Sequence, residues 1–356
     1  MLKSIKSNCF INCISSCSKT SQCNIAIYKR STNRCNQFNG LINDQYDLID
    51  SNNAIVYYYD EKSSTQNNVF EYTSKPIPSR IIQAGSDVYS LVQMKNGDLV
   101  CGCLNHKIIV WNTIDWSFKS NITGHQGAVN SLAVLQNGYL VSGSSDRTIK
   151  IWNHTNQSLI RTLNGHTGNV RRVIILRNGD IVSGSEDKKA IIWDSNTGAI
   201  KHILNHTGTV RALSQLNDGP LITADNFGTI TIINPISYAV IKQTTDLSLA
   251  YNAALWLKNE ELALVKSDQY IIITNMSFAY KKYIPKLGGQ INDIMQLPNQ
   301  DIVSILNESY VLVWDWNSKT LKYNLTGHSR NIMALTLLDD KYLVTGGTDE
   351  AIIIWK

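Results

Sequence analysis

No stretch of this sequence reaches the ~18-residue apolar run that a membrane-spanning helix needs, so no membrane span is expected. Charge of one sign is also scarce. The 33 Lys and Arg residues against 28 Asp and Glu leave +5 over 356 residues, too mild to direct the chain to nucleic acid. The opening MLKSIKSNCFINCISSC lacks the apolar core of a secretory leader, so none is expected. No CxxC pair occurs anywhere, and beyond residue 35 only Cys101 and Cys103 remain. Two apart on a strand, these two share one face and read as small buried apolar residues rather than metal ligands. Helical periodicity is missing after residue 80, which leaves strands and turns as the building material there.

Cysteine is instead concentrated at the start, at Cys9, Cys13, Cys17, Cys23 and Cys35. A spacing of four places the first three on one face of a short helix. A strand-like segment at residues 24–30, a turn and Cys35 follow. A small module with little core needs staples, so clustered cysteines read first as disulfides. Zinc is the weaker alternative, because the stretch has no histidine. The run CISSC at residues 13–17, SKTSQC ending at Cys23, the strand with Tyr28, then Cys35 and NAIVYYYDEK at 53–62 resemble the apple/PAN family. The resemblance implies a small α+β, disulfide-type module over residues 1–62, with Cys13 paired to Cys35 and Cys17 to Cys23. It also implies recognition of protein or glycan outside the cell. Residues 63–79, polar and carrying Pro76 and Pro78, read as an extended linker.

From residue 80 onward the chain repeats. GHQGAVNSLAVLQNGYLVSGSSDRTIKIWN at 124–153 returns as GHTGNVRRVIILRNGDIVSGSEDKKAIIWD at 165–194, a step of 41. One early apolar position traces seven units: Val88, Val129, Val170, Val210, Tyr251, Ile291 and Ile332. Each unit shows an apolar alternation, a turn such as KNG, QNG or RNG, and two further strands. Repeats of this length cannot bury a core alone, and radial stacking of four-stranded blades is their usual solution. The recurrent Gly-His, Asp and Trp make residues 80–356 resemble the WD40 family. The expected fold is therefore all-β, a seven-bladed propeller. The last unit ends after its third strand, so residues 79–84 are expected to close the ring as its outer strand.

Ser, His and Asp within one unit suggest a hydrolase triad, but a triad occurs once per site. Here His125, Ser142, Asp146 and Trp152 recur as His166, Ser183, Asp187 and Trp193, and again as His328, Thr345, Asp349 and Trp355. A repeated set reads as a hydrogen-bond framework inside each blade. The framework decays elsewhere. Unit one has Ala84, Cys101 and Asn105 in the His, Ser and Asp slots. Unit four keeps His206 and Thr223 but has Phe227 and Ile233 for Asp and Trp. Unit five has Asp268 with Thr274 in the Trp slot, and unit six has Leu287 for His. Blades four and five are expected to be irregular. His154 and His202 read as solvated.

Residues flanking the recurring apolar position, with the residue before the Asp slot, are expected to ring the narrow face. They are Asp87, Tyr89, Asn130, Asn169, Arg171, Glu186, Thr209, Arg211, Gln290, Asn292, Asn331 and Met333. Arg171 and Arg211 occupy equivalent slots in neighbouring units and should converge on an acidic or phosphorylated group, unless Glu186 or Asp225 neutralises them locally. The function expected is a non-catalytic scaffold docking a protein or peptide partner as a monomeric ring within a larger complex, with no cofactor or metal. The alternative is an extracellular recognition protein acting through the cysteine-rich module, and a propeller enzyme ranks below both. An oxidised module would place the chain outside the cell, a reduced one in the cytoplasm.

Overall fold

Short apolar alternations broken by Asn-Gly turns fold as hairpins. In the first three units the turn glycines Gly97, Gly138 and Gly179 sit at φ 88–89°, where a side chain would be strained. The computed structural model describes residues 75–356 except 154, 216–218, 246–249, 258, 267–269, 279–280 and 286–288, and before residue 75 the backbone of three strands. Those three form a small antiparallel sheet in which Arg34–Phe38 lies between Ser4–Lys6 and Ile25–Lys29. The helix expected over Cys9, Cys13 and Cys17, and Cys23 with both expected disulfides, lie outside the described residues. The chain forms two compact units, Met1–Lys75 and Pro76–Lys356.

The second unit holds seven four-stranded antiparallel sheets, and no helix occurs among the described residues. Blade two shows the pattern: Val129–Val134, Leu140–Ser144, Ile149–Asn153 and Ser158–Leu163 pair in sequence order from the centre outward. Blades one to six follow it. In the last sheet Ile332–Leu338, Tyr342–Gly347 and Ala351–Trp355 are joined by Pro78–Gln83, which lies antiparallel to the third strand with Ile352 opposite Ile82. Proline is tolerated there because it begins an edge strand. The inner strands of neighbouring blades pack side by side, and the innermost strand of the seventh packs on that of the first.

The core lies between blades. Val141, Ile149 and Ile151 of blade two pack against Val170, Val173 and Ile181 of blade three, and the other clusters bridge neighbours in the same way. Close approach is permitted by glycine on the second strand: a Cβ on Gly143 would lie 2.7 Å from Val170. Blades four and five are complete four-stranded sheets, so decay of the side-chain framework has not broken their ladders.

One irregularity recurs in every blade. The ladder between the first two strands skips the residue after the recurring apolar position: Val170 pairs with Ser185 and Arg172 with Gly184, leaving Arg171 bulged. The same skip occurs at Tyr89, Asn130, Arg211, Asn252, Asn292 and Met333. A bulge re-aims its side chain and ends local pairing. Seven such side chains are thereby turned toward one end of the central channel.

Candidate functional site: the channel mouth

The repeated His, Ser, Asp and Trp set is an internal framework. In blade two His125 Nδ1 lies 2.7 Å from Asp146, its Nε2 2.7 Å from Ser142 Oγ, and Trp152 Nε1 donates to Ser142 at 2.8 Å. An ionised carboxylate only accepts, so Nδ1 carries the proton, Nε2 accepts from the Ser142 hydroxyl, and Ser142 accepts from Trp152. Blade three repeats the chain through His166, Asp187, Ser183 and Trp193, and blade seven through His328, Asp349, Thr345 and Trp355. All three histidines are buried. Burial would raise the Asp146 carboxyl, but hydrogen bonds from His125, Thr148 and the Gln126 backbone hold it below its ordinary value. Burial lowers His166 and His328 despite their aspartates.

Blade four corrects the expected decay. Phe227 does stand in the Asp slot, half exposed at 52%, yet the carboxylate is supplied two residues earlier by Asp225. Asp225 accepts from the backbones of Thr207, Gly208, Phe227 and Thr229 and from the Thr207 hydroxyl, and His206 Nε2 meets Thr223 at 2.9 Å. Burial works against its ionisation, while the nearby His206 ring and these donors outweigh that and hold its carboxyl down, although His206 Nδ1, 3.5 Å from Asp225, makes no hydrogen bond. In blade one Cys101 fills the Ser slot and Trp111 Nε1 has no hydrogen-bond partner. Cys101 and Cys103 are fully buried with sulfurs 3.6 Å apart, and their mutual hydrogen bond, then burial, raises the Cys103 thiol. Blade six keeps Trp314 donating to Ser304 at 2.9 Å. His154, Asp268 and Leu287 lie outside the described residues. His202 is half-buried rather than solvated, stacked on Tyr238 with ring centroids 4.9 Å apart.

The bulged residues line a cavity of about 300 Å³ at the channel mouth: Tyr89, Asn130, Arg171, Arg211, Asn252, Asn292 and Met333, with Arg172 beneath. Of the expected narrow-face set, Glu186 sits at the rim as the partner of Arg171. Asn169 and Asn331 hold the same rim turns by backbone bonds to Glu186 and Thr348 rather than lining the cavity. Asn252 and Arg172 belong to the mouth and escape the sequence reading. Asn130, Asn252 and Asn292 donate their amides to the inner-strand carbonyls of the following blades, at 2.8, 3.1 and 2.8 Å, so three adjacent pairs of blades are stitched at the rim.

The two bulged arginines differ. Arg171 donates Nε to Glu186 at 2.8 Å and also reaches it through Nη2. The equivalent slot beside Arg211 is Asn226, a neutral side chain whose oxygen already accepts from the Thr209 backbone at 2.7 Å. Asp225, the acid that sequence placed nearby, is consumed by blade four's framework. Arg211 Nε is therefore buried without a hydrogen-bond partner, and burial, then the Arg171 charge, depress its pKa, while Glu186 acts on it from a distance in the opposite direction.

Beneath the mouth the channel is crossed. Arg172 of blade three donates Nη1 and Nη2 to Asp293 of blade six at 2.5 and 3.2 Å. Asp293 raises the Arg172 pKa against the cost of burial. The signal was present in sequence: the second position after the recurring apolar residue reads Ser90, Ser131, Arg172, Ala212, Ala253, Asp293 and Ala334, five small residues with one cation and one anion. Only the ring shows that they meet.

Among the described residues no group of three His, Cys, Asp or Glu side chains is placed to hold a metal ion, and no helix is long and apolar enough to cross a membrane. Comparison with curated proteins finds no match. Residues 116–153, 157–194 and 319–356 match the model of the WD domain, G-beta repeat. Each of these segments contains one complete His, Ser or Thr, Asp and Trp set, from blades two, three and seven. The chain thus carries WD40 repeats, and they are built into a seven-bladed propeller.

Proposed function

We propose that the protein is a non-catalytic interaction scaffold whose propeller docks an acidic or phosphorylated segment of a protein partner at the channel mouth. WD40 propellers are typically interaction scaffolds, and fold alone names no partner. The observation that carries the reading is Arg211, a guanidinium lining an open cavity with its buried Nε unpartnered. Such a cation is compensated by an incoming anion, and Arg suits carboxylate and phosphate by its fork of donors. In the repeated sets the hydroxyls of Ser142, Ser183 and Thr345 are each committed to a histidine and a tryptophan of their own blade.

Tyr89, Arg171, Arg211 and Met333 are the contact residues in this reading, types enriched where interfaces bury their centre. Asn130, Asn292, Asn169, Asn331 and Glu186 shape the rim. Partner capture by the full chain, wild type against Arg171→Glu/Arg211→Glu, tests the proposal. Loss of the captured set supports it, and an unchanged set removes the mouth as the docking face. The cysteine-rich segment is read as a PAN-like recognition module stapled by Cys13 with Cys35 and Cys17 with Cys23. Its support is the sequence pattern alone, and free thiols at these four positions in the native protein would remove it.

A further inference from the structure

The charges around the mouth specify more than an anion. Three arginines line it, and two are already compensated: Arg171 by Glu186 at the rim and Arg172 by Asp293 below. One cation, Arg211, is left over. Burial, then Asp87, raise the Tyr89 hydroxyl, and Arg171 lowers it. A phosphoryl group carries about two negative charges at neutral pH, a carboxylate one. A second negative charge would find no unpaired guanidinium among the residues lining the cavity and would face Glu186.

Shape acts in the same direction. The mouth is a cavity of about 300 Å³, and the Arg172 side chain lines both it and the cavities beneath. With Arg172 tied across to Asp293, the opening is a well with a floor. The unpartnered Nε of Arg211 is buried, so its acceptor must arrive on a slender stalk. Asn130, Asn252 and Asn292 each turn an amide N–H to a neighbouring carbonyl, and their side-chain oxygens supply acceptors around the opening. Acceptors at that level suit the backbone N–H groups of a peptide lying across the mouth.

We infer that the well takes one carboxylate side chain, of a glutamate or aspartate within a peptide laid over the mouth, and that Glu186 sets the selection of carboxylate over phosphate. Arg211 forms a two-point pair with the carboxylate. Glu186 excludes the dianion by compensating the charge of Arg171. This rests on the docking reading above and adds the ligand class and its gatekeeper.

The test uses the full chain on arrays of short peptides, acetylated and amidated, with randomised flanks around a central Glu, Gln or phosphoserine. A fourth set has Gln at the centre and a free C-terminal acid. On the wild type the Glu set is expected to bind about tenfold better than Gln and better than phosphoserine, the scale of a charge-assisted bidentate pair. Glu186→Gln is expected to invert the order toward phosphoserine. Arg211→Gln is expected to erase the Glu preference, while Arg211→Lys retains part of it and reports on folding. Preference of the wild type for phosphoserine, or an order unchanged by Glu186→Gln, overturns the inference and leaves mouth docking standing. Preference for the free-acid set overturns the side-chain source. Binding that survives Arg171→Glu/Arg211→Glu undiminished overturns both readings.

Discussion

At the scale of single residues, one hydroxyl decides how well a blade is satisfied. Ser142 and Ser183 each join a tryptophan donor to a histidine acceptor inside the protein, where an unmade hydrogen bond costs about 1–3 kcal/mol. Cys101 occupies that place in blade one and leaves Trp111 Nε1 without a partner. Cys101→Ser should therefore stabilise the protein, by about 0.5–1.5 kcal/mol, read as a higher thermal midpoint. A midpoint that falls would mean that the Cys101–Cys103 contact outweighs the restored bond. Acid titration offers a second check. His166 and His328 lie below their ordinary 6.5 because burial disfavours their charged form, so the unfolded chain binds protons first as pH falls. Their contribution is full above 6.5 and is lost below it. Asp146, Asp187, Asp225 and Asp349, all held below 3.8, extend the loss at lower pH. Thermal midpoints should fall between about pH 7 and pH 5, before any carboxylate is titrated, and a flat profile there would contradict the burial argument.

Elements obey the repeat more faithfully than their side chains do. Blade four was readable as a blade from Val210, 40 residues after Val170 and 41 before Tyr251, but its carboxylate was not, because Asp225 sits two positions from the slot and reaches the same turn from the strand end. A register-based comparison sees Phe227 and misses the chemistry. Asp225→Ala should cost about 3–5 kcal/mol, the scale of breaking a buried charged cluster. Phe227→Ala, at a half-exposed side chain, should stay within about 0.5 kcal/mol. Denaturant unfolding of both variants separates them, and equal losses would mean that the blade does not depend on the relocated acid. The bulge after each recurring apolar residue was equally hidden, since alternation predicts an unbroken ladder there. Its trace in sequence is only the mixed character of Tyr89, Asn130, Arg171, Arg211, Asn252, Asn292 and Met333 between a constant apolar residue and a small one. The rim pair of Arg171 with Glu186 was within reach of sequence, whereas the empty partner slot of Arg211 required knowing that Asn226 turns to Thr209.

For the whole molecule, the pair of Arg172 and Asp293 ties blades three and six, whose pairing residues are 121 apart in the chain. Removing one partner strands the other inside the channel. Arg172→Met and Asp293→Leu should each destabilise by about 3 kcal/mol, while the double variant recovers most of that, because two apolar side chains leave no unpaired charge. Strictly additive losses in a double-mutant cycle would show that the two residues are not coupled.

The bulges have a consequence for how such a protein can change. The seven side chains that face the channel mouth are the ones left out of the first-to-second-strand ladder, while Val, Gly, Ser and Trp positions beside them carry the packing and most of the internal bonds. Tyr89, Arg171, Arg211 and Met333 can accordingly be exchanged, singly or together, at small cost to folding. Novelty in recognition and conservation of architecture are assigned to separate residues, so a lineage of such rings can acquire new partners without passing through unfolded intermediates.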